Sequence, residues 1–492
     1  IAKIFSPCYI FDMRIVFYST NSNKYEKDKM SFKMNPSCET QWEKLKKDFP
    51  EHEFFVVAQR PAFFLLDDDS SSFGNLEIGI DKTGIDDIVQ KILSFKPDIA
   101  IAVTYWTSPF DWMSIKDSLV AEKLRAFGVN AACHPAQTSN ICFDKWKTHQ
   151  FLEKNGFNCS KAVYVQHEMF WAERNHPLVC ENVYREFVFS EIEKLKFPVV
   201  IKDVYGLSSY GMDVVKSFDA AKSLLLSKKN NSDRLVEEFI EGNSFGLEIY
   251  GSSVSTKTNY IVTLPLINSV NQFGLTSPKQ NVKLGPVNCF AADEVCGADK
   301  NFHIEELMSE MERLARLLKF NGIAQVDLIF DGKKWYVIEI NSRLSGMSQT
   351  MAYSMNFSLY ELILFSAGIF SSKTSKFLTS YKTNKTKSLF HPVMNLKFPL
   401  LSDEKISSLM EHEWVFAVNK IENHGAKQLR EMGYTEVIFG SSVASSYQVA
   451  SDYQNDLDET MKMLEILKNE FPDDMVDVFY ENAKKLACLI GS

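Results

Sequence analysis

Short apolar runs alternate with amphipathic stretches along the first third of the chain. Residues 14–20, 54–58 and 98–104 have the apolar character of buried strands. Between them, residues 40–49 and 86–95 carry their apolar side chains at helical spacing. Strands that alternate with helices favour a parallel sheet, so this pattern predicts an N-terminal α/β domain over residues 1–139.

The segment that follows the first predicted strand contains no glycine. Residues 21–24 read Asn-Ser-Asn-Lys. A dinucleotide-binding turn needs glycines at this point, because the backbone must approach a pyrophosphate closely. The sequence therefore disfavours a nicotinamide dinucleotide site in this domain.

A connecting region and a small subdomain are predicted next. A helix over residues 144–155 ends at Gly156 and leads into a polar connector, so the connecting region covers residues 140–196. The small subdomain covers residues 197–250, with predicted strands at 197–202, 213–216 and 234–240.

A larger subdomain is predicted over residues 251–370. Apolar residues at 304, 307, 308, 311, 314 and 318 give residues 303–319 the spacing of an amphipathic helix. Two strands follow, at 323–330 and 335–340, and Asp331 and Gly332 between them are a strong hairpin signal.

The remaining residues, 371–492, predict a linker and a C-terminal α+β region. Residues 371–388 are rich in Ser, Thr and Lys, which is typical of a linker, and helices are expected at about 457–470 and 474–488. The predicted fold class is thus multidomain, with α/β and α+β parts.

Composition and charge narrow the functional classes. The 492 residues are 45% hydrophobic, enough for about three packed domains, and carry a net charge of −9. Basic and acidic residues are interspersed, which argues against nucleic acid as a partner. The apolar stretch at 359–370 is too short to span a bilayer and is interrupted by Glu361. No signal peptide is evident, so we expect a cytoplasmic protein without a membrane partner. The nine cysteines are irregularly spaced and no CxxC occurs, so reduced thiols are expected and a zinc site is not.

A glycine-containing loop after a predicted strand is the first candidate for chemistry. Lys202 ends the strand, and the loop contains two glycines and two serines, which are Gly206, Ser208, Ser209 and Gly211. Backbone amides, hydroxyl groups and a lysine charge together suit a phosphate. An ordinary hairpin turn has the same composition, so the loop alone is a weak signal.

The hairpin at 323–340 is the second candidate. Asp327, Glu339 and Asn341 occupy polar positions within otherwise apolar strands. Buried carboxylates need compensation, and oxygen ligands of this kind suit Mg²⁺. A solvent-facing side of the hairpin with ordinary surface acids remains the alternative.

Two further segments are weak signals of function when each is taken alone. Glu237, Glu238, Phe239 and Ile240 lie at a strand end, where backbone groups and a carboxylate could face an adenine amino group. Lys145 begins the helix at 144–155, and a solvated lysine would explain it equally well.

The order of these segments resembles the ATP-grasp superfamily between about residues 144 and 346. Glu339-Ile-Asn-Ser-Arg-Leu-Ser-Gly346 is the most specific motif, and it is similar to the carboxylate–amine ligase branch, near L-amino acid ligases and D-alanine–D-alanine ligases. The resemblance implies an ATP-grasp fold with an N-terminal parallel α/β domain and a C-terminal extension.

The resemblance also implies roles for individual residues. It implies that Lys145 and Lys202 contact the nucleotide phosphates and that Lys202 also serves catalysis. The 206–211 loop would fold over the phosphates, and residues 237–240 would read adenine. Asp327, Glu339 and Asn341 would hold Mg²⁺, with Mn²⁺ as an alternative, and Arg343 would face the reacting carboxylate or acyl phosphate.

Two positions depart from the family pattern. Ser244 stands where many relatives have an acidic residue for the ribose, which makes Glu248 a further candidate for the nucleotide pocket. Gln325 stands where some relatives have a basic residue, which leaves charge neutralisation to Arg343 and Lys283.

The implied function is an ATP-dependent, ADP-forming carboxylate–amine ligase that acts through an acyl phosphate. Its partners would be small, amino-acid-like substrates, a carboxylate and an amine, and a homodimer is compatible with the family. The alternatives are a biotin-carboxylase-like or carboxylate–thiol ATP-grasp enzyme and a nucleotide-binding protein without catalysis. ADP release with acid and amine pairs, and dependence on bicarbonate, would separate them.

Overall fold

The computed structural model describes most of the chain, in segments separated by short gaps. The described residues are 12–20, 29–58, 83–105, 111–205, 212–228, 230–251, 260–270, 281–287, 302–383, 389–398, 400–422, 433–441, 453–471 and 476–490.

The strands of these residues are numbered in chain order. They are β1 (Arg14–Tyr18), β2 (Lys29–Met34), β3 (Glu53–Val57), β4 (Ile99–Ala102), β5 (Asn130–Ala132), β6 (Ala162–Val165), β7 (Val199–Asp203), β8 (Asp213–Val215), β9 (Arg234–Glu238), β10 (Asn243–Gly251), β11 (Ile261–Val262), β12 (Leu266–Asn268), β13 (Asn281–Gly285), β14 (Gly322–Phe330), β15 (Trp335–Asn341), β16 (Val393–Phe398), β17 (Val415–Glu422) and β18 (Tyr434–Gly440).

The helices are numbered in the same way. They are α1 (Cys38–Asp48), α2 (Ile85–Ser94), α3 (Ile115–Ala126), α4 (Ala136–Phe143), α5 (Lys145–Lys154), α6 (His167–Phe170), α7 (Ala172–Asn175), α8 (Val183–Glu193), α9 (Phe218–Leu225), α10 (Ile304–Leu318), α11 (Gly346–Ser354), α12 (Leu359–Ser366), α13 (Ser372–Thr383), α14 (Asp403–Met410), α15 (Tyr453–Glu470) and α16 (Val476–Ile490), with a 3₁₀ turn at Asp111–Ser114.

Three sheets organise these elements. A parallel sheet in the order β3-β1-β4-β5 forms the N-terminal α/β unit. An antiparallel sheet in the order β6-β9-β7-β8 forms a small unit. A ten-stranded antiparallel sheet runs β15-β14-β10-β12-β13-β16-β18-β17-β2, with β11 pairing beside β10. The predicted fold class is confirmed, including the parallel N-terminal sheet.

Sheet membership differs from the predicted division of the chain. β10, which falls in the predicted small subdomain, belongs to the ten-stranded sheet, whereas β6, from the predicted connecting region, pairs with β9 of the small sheet. β16, β17 and β18 continue the large sheet without interruption. The predicted boundaries remain predictions, but strand pairing crosses three of them.

Two further differences concern single elements. Residues 371–388 were predicted to be a linker, but α13 occupies residues 372–383 because Phe377 and Leu378 pack into the large core. β2 was not predicted, and it pairs with β17 at the far edge of the large sheet. The hairpin is confirmed, since Gly332 in the turn between β14 and β15 has φ +91°.

The helices near the site begin at identifiable caps. Asp144 accepts hydrogen bonds from the backbone amides of Trp146 and Lys147, each 3.0 Å long, so α5 begins at Lys145. Ser345 caps α11 in a capping box with Ser348. The two caps fix the helix starts next to Lys145 and next to the segment that contains Arg343.

Within the described segments, no helix is both long and apolar enough to cross a bilayer.

The N-terminal unit and the large sheet share a hydrophobic core, and Trp42 lies at their junction. Its side chain on α1 is 1% exposed and packs edge-on against Tyr360 of α12, with ring centroids 5.5 Å apart. Phe17 of β1 lies 6.1 Å from the same ring. The two units are therefore joined by buried aromatic contacts.

We expect Trp42→Ala to destabilise the protein by about 3–5 kcal/mol, because it removes a large buried side chain and leaves a cavity. Urea unfolding followed by circular dichroism measures the change. Lys46→Ala, one turn along α1 at an exposed position, is the matched control. A loss below about 1 kcal/mol in Trp42→Ala would contradict this packing role.

Candidate functional site

The hairpin of β14 and β15 brings the predicted metal ligands together. Asp327 is the direct cross-strand partner of Glu339, and Gln325 is the partner of Asn341. Because alternate residues of a strand point to the same face, all four side chains lie on one face of the large sheet. A bulge after Asp327 interrupts the ladder.

Two carboxyl groups facing each other across a hairpin repel one another when both are ionised. Burial, followed by the charge of Glu339, raises the pKa of Asp327 to about 7, while Lys283, Gln325 and Arg343 act in the opposite direction. The Gln325 amide donates a 2.6 Å hydrogen bond to Asp327 Oδ1. The structure thus gives Gln325, the departure from the family pattern, a role beside the first carboxylate.

The two predicted phosphate lysines are both buried and paired with acids. Lys145 Nζ lies 3.1 Å from Glu339 Oε1, and its side chain is 8% exposed. Lys202 Nζ lies 2.6 Å from Glu237 Oε2, and its side chain is 4% exposed. Buried lysines are rare unless they are paired, so these contacts fix both ammonium groups at one cleft.

The cleft is held together by backbone as well as by side chains. The amide of Lys145 donates to the carbonyl of Val204, just beyond β7, at 3.2 Å. The end of β7, the strand that carries Lys202, is therefore hydrogen-bonded to the start of α5.

A cavity of about 250 Å³ of empty space, open to solvent, lies between α5, β9 and β15. Its lining includes Lys145, His149, Cys159, Glu237, Val337 and Ile338. Glu237, from the segment predicted to read adenine, is among the residues that line this cavity. Glu238 points elsewhere, since its Oε1 accepts a 2.9 Å hydrogen bond from the amide of Lys196. Phe239 and Ile240 follow as half-buried residues, and the amide of Phe239 donates to the carbonyl of Pro198 at 3.0 Å.

Arg343 connects the hairpin to the N-terminal unit. Its Nη1 donates to the carbonyls of Tyr105 and Leu344, each at 3.1 Å, and its Nη2 donates to Asn341 Oδ1 at 3.3 Å. A second cleft of about 450 Å³, open to solvent, lies beside Arg343 and is bordered by Thr104, Ser114, Asp117 and Ser118. Arg343 therefore lies between the hairpin of β14 and β15 and the N-terminal unit.

Glu248 does not join the nucleotide cavity. Its side chain is 0% exposed and accepts hydrogen bonds from Tyr250 at 2.7 Å, from Ser348 at 2.6 Å and from Ser345 at 3.3 Å. The structure places it beneath the start of α11, because β10 lies inside the large sheet and turns this residue towards the helix. Its place in the nucleotide pocket stays a prediction.

Four predicted loop residues, Gly206, Ser208, Ser209 and Gly211, lie outside the described residues. Of the other predicted residues, Lys145 and Glu237 line the cavity between α5, β9 and β15, and Glu339 and Lys202 pair with them. Asp327 and Asn341 share the hairpin face with Glu339, and Arg343 borders the second cleft.

Sequence reasoning missed two residues at the cleft. His149 is 6% exposed, lines the cavity between α5, β9 and β15, and stacks on Trp146 with ring centroids 5.4 Å apart. Its place one turn after Lys145 on α5 was the available signal. Tyr105 contacts Arg343 only through tertiary structure, and no local pattern marks it.

The chemistry of the hairpin fits a divalent cation held by few protein ligands. Asp327 and Glu339 supply carboxylate oxygens and Asn341 an amide oxygen, all hard donors. Among the residues that the structure describes, no group of three or more His, Cys, Asp and Glu side chains is arranged to hold a metal. A magnesium ion with two carboxylates and retained waters is consistent with both observations.

Comparisons with known proteins address the family. Residues 142–347 match the model of the ATP-grasp domain. The chain contains an ATP-grasp domain. The matched range includes Lys145, Lys202, residues 237–240 and the hairpin of β14 and β15. The predicted family is therefore confirmed.

Two relatives of known sequence match about half of the chain. The D-alanine–D-alanine ligase of Buchnera aphidicola is 25% identical over 235 residues, which are 46% of this chain and 69% of that protein. A carbamoyl-phosphate synthase of Methanobrevibacter smithii is 26% identical over 257 residues, which are 51% of this chain and 63% of that protein. The predicted ligase class is confirmed at this level of relationship.

Solved structures share the fold over nearly the whole chain. An ADP complex of N5-carboxyaminoimidazole ribonucleotide synthetase has a TM-score of 0.56 at 13% identity, and covers 93% of this chain and 98% of its own. The L-amino acid ligase of Bacillus licheniformis has a TM-score of 0.53 at 14% identity, and covers 91% and 98%. The C-terminal strands thus belong to a known arrangement of this fold.

Burial of the Glu248 carboxyl group makes the stability of the protein depend on pH. Its pKa is raised to about 7 by burial, with the three hydroxyl donors opposing. An acid whose pKa is raised on folding binds its proton more tightly in the folded state, so stability falls as pH rises from its unfolded pKa to about 7.

We expect Glu248→Gln to remove this contribution, so that the loss of unfolding free energy between about pH 5 and pH 8 shrinks by up to about 3 kcal/mol. Urea unfolding at both pH values measures it. Glu481→Gln, at an exposed position of α16, is the control. An unchanged pH dependence in Glu248→Gln would show that this carboxyl group is not buried as described.

Proposed function

We propose that the protein is an ATP-dependent carboxylate–amine ligase that forms an amide through an acyl phosphate. The observation that carries the proposal is the 3.1 Å contact between Lys145 and Glu339. It joins a residue assigned to the nucleotide phosphates to a residue assigned to the metal, so that both functions meet in one cleft. The ligases among the relatives support the reaction class.

In the first step, a carboxylate oxygen of the acid substrate attacks the γ-phosphorus of ATP. The bond from that phosphorus to the β,γ-bridging oxygen breaks, and ADP leaves with the electron pair. Lys145 and Lys202 hold the phosphate oxygens and balance their charge, which is the main catalytic task in phosphoryl transfer. Mg²⁺, when held by Asp327, Glu339 and Asn341, supplies further positive charge at these oxygens.

In the second step, the amine nitrogen attacks the carbonyl carbon of the acyl phosphate. The carbon–oxygen bond to phosphate breaks, inorganic phosphate leaves, and the nitrogen releases a proton to solvent. Arg343 lies at the junction of the hairpin and the cleft of the N-terminal unit, where it can orient the acyl group. Its planar fork suits two oxygens at once.

ATP, Mg²⁺, a small carboxylate and an amine are the reactants that this proposal requires. A homodimer and a cytoplasmic location remain predictions. ADP release that requires bicarbonate in place of an amine would indicate a carboxylase of the same fold. Absence of ADP release with every pair of acid and amine would contradict the proposal.

Glu339→Gln is expected to lower ADP formation by about a hundredfold or more, equivalent to about 2.7 kcal/mol of transition-state stabilisation, because it removes a metal carboxylate and the partner of Lys145. A coupled assay for ADP measures it, with the melting temperature as a check on folding. Glu305→Gln, on the exposed side of α10, is the control. Near-normal ADP formation in a folded Glu339→Gln protein would refute the metal assignment.

Arg343→Lys keeps the positive charge but loses the two-pronged geometry. We expect ADP affinity and folding close to those of the wild type, and turnover lower by about tenfold or more, roughly 1.4 kcal/mol. Calorimetry measures the affinity for ADP, and a phosphate-release assay measures turnover. If ADP affinity and folding fall together with turnover, Arg343 is a structural partner of Asn341 and Tyr105 instead.

A further inference from the structure

Four large apolar side chains on the helices that cover the small sheet are exposed to solvent. They lie on α6, in the loop between α7 and α8, and on α8, and they are Met169, Leu178, Val183 and Phe187, with exposed fractions of 44%, 95%, 70% and 61%. Asn182, which caps α8, joins these segments, because its side-chain amide donates to the carbonyl of Met169 at 3.0 Å. We call these four side chains the α8 surface.

The helix α8 is apolar on two faces. One face packs into the core of the small unit through Val188, Phe189 and Ile192. Val183 and Phe187 are four residues apart, so they share the other face, where a helix at a protein surface normally carries polar side chains. Together with the side chains from α6 and the loop, they expose an apolar area on the order of a few hundred Å², the size at which such patches mark interaction sites.

Carboxylates surround the α8 surface. Residues 168–193 contain six acids, two arginines and one histidine. Both arginines are engaged, since Arg185 pairs with Glu173 and the Arg174 guanidinium lies 3.3 Å from the centroid of the Trp171 ring. Three exposed acids adjoin the apolar side chains in sequence, and in the described part of the chain they form no ion pair; they are Glu168, Glu181 and Glu186. The rim of the surface is therefore acidic.

The α8 surface faces away from the proposed nucleotide site. The core face of α8 shares an apolar cluster with Val199 and Ile201 of β7 and with Val236 of β9. Alternate residues of a strand point to opposite faces, so Lys202 and Glu237 extend from the other side of the small sheet. Their 2.6 Å contact and the cavity between α5, β9 and β15 lie on that side. A molecule bound to the α8 surface thus leaves this cavity open.

We propose that the α8 surface is a docking site for a basic amphipathic helix of another protein. Val183 and Phe187 offer apolar contacts one turn apart, which suits a helix whose apolar side chains repeat at the same spacing. The acidic rim selects lysine or arginine beside those apolar side chains. A second copy of this chain is disfavoured, because a two-fold contact places the same carboxylates against one another. An anionic lipid surface is disfavoured by the same repulsion.

The first test uses a fluorescent model peptide of leucine and lysine, with its leucines at helical spacing. Fluorescence anisotropy measures its binding to the full chain, and a peptide with glutamate in place of lysine is the charge control. We expect saturable binding of the lysine peptide, about tenfold or more tighter than that of the glutamate peptide, and weaker at high salt than at low salt. Equal affinity for the two peptides would overturn the proposal.

Phe187→Ser removes the largest apolar side chain of the surface, and Val183→Ser is a second, independent variant. We expect each to weaken binding of the lysine peptide by about tenfold or more, because few side chains carry most of the affinity of such a contact. Phe127→Ser, at the end of α3 in the N-terminal unit, is the matched control, since Phe127 is 62% exposed. Unchanged binding by both α8 variants, or an equal loss in Phe127→Ser, would contradict the docking site.

Glu186→Lys tests the acidic rim. It should weaken binding of the lysine peptide and strengthen binding of the glutamate peptide, because it reverses a charge beside Phe187. Glu305→Lys, at an exposed position of α10, changes the net charge of the chain equally and should leave both affinities close to those of the wild type. The same effect in the two variants would mean that the overall negative charge alone attracts the peptide, which would refute the site.

Other occupants and another binding place are tested separately. Sedimentation of the protein alone should show no effect of Phe187→Ser on the oligomeric state, and vesicles of anionic lipid should not bind the chain. A dimer that Phe187→Ser dissociates, or vesicle binding that it abolishes, would overturn the partner helix. Calorimetry should give the same MgADP affinity with and without saturating lysine peptide. A loss of MgADP affinity would place the peptide in the nucleotide cavity instead. None of these measurements depends on ADP formation, so they stand apart from the proposed reaction.

Discussion

The arrangement of the site depends on partly buried carboxylates that face each other across one hairpin. Asp327 and Glu339 are direct cross-strand partners, and two such groups cannot both be ionised there without nearby positive charge. Lys145 meets this requirement at 3.1 Å from Glu339, and Lys283 and Arg343 act on Asp327. The start of α5 places Lys145 at this hairpin, and the Tyr105 carbonyl of the N-terminal unit holds Arg343 beside it.

The need for positive charge beside these two carboxylates also explains the contacts that join the N-terminal unit, the small sheet and the large sheet. Arg343 reaches the hairpin through Asn341 and simultaneously binds the carbonyl of Tyr105 from the N-terminal unit. The amide of Lys145 is bonded to Val204 at the end of β7. Charged groups that act on one phosphoryl group must keep their relative positions, and these backbone contacts fix them.

Much of this could be predicted from the sequence because it is local. The hairpin is marked by Asp331 and Gly332, and the amphipathic helix before it by its periodicity. The candidate metal ligands are marked by polar residues within apolar strands. The resemblance added the roles of Lys145 and Lys202, which no local pattern distinguishes from surface lysines.

The rest depends on sheet register, which a single sequence does not contain. Glu248 lies two residues from Gly246, the partner of Asp327, yet it turns under α11 to meet Ser345 and Ser348. Lys397 is separated from Asp327 by 70 positions in the chain, and only the pairing of β16 with β13 brings it to the same face. α13 was missed for a related reason, since its polar composition conceals the few apolar side chains that anchor it.

Positional isotope exchange tests the central claim most directly, which is that this cleft transfers the γ-phosphoryl group of ATP to a carboxylate. ATP labelled with ¹⁸O in its β,γ-bridge is incubated with the protein, Mg²⁺ and the acid substrate in the absence of the amine. Reversible transfer frees the β-phosphate to rotate, so we expect the label to scramble into non-bridging β positions only when the acid is present. Amide formation on later addition of the amine, with no prior scrambling and no acid-dependent ADP burst, would contradict an acyl phosphate formed in this cleft.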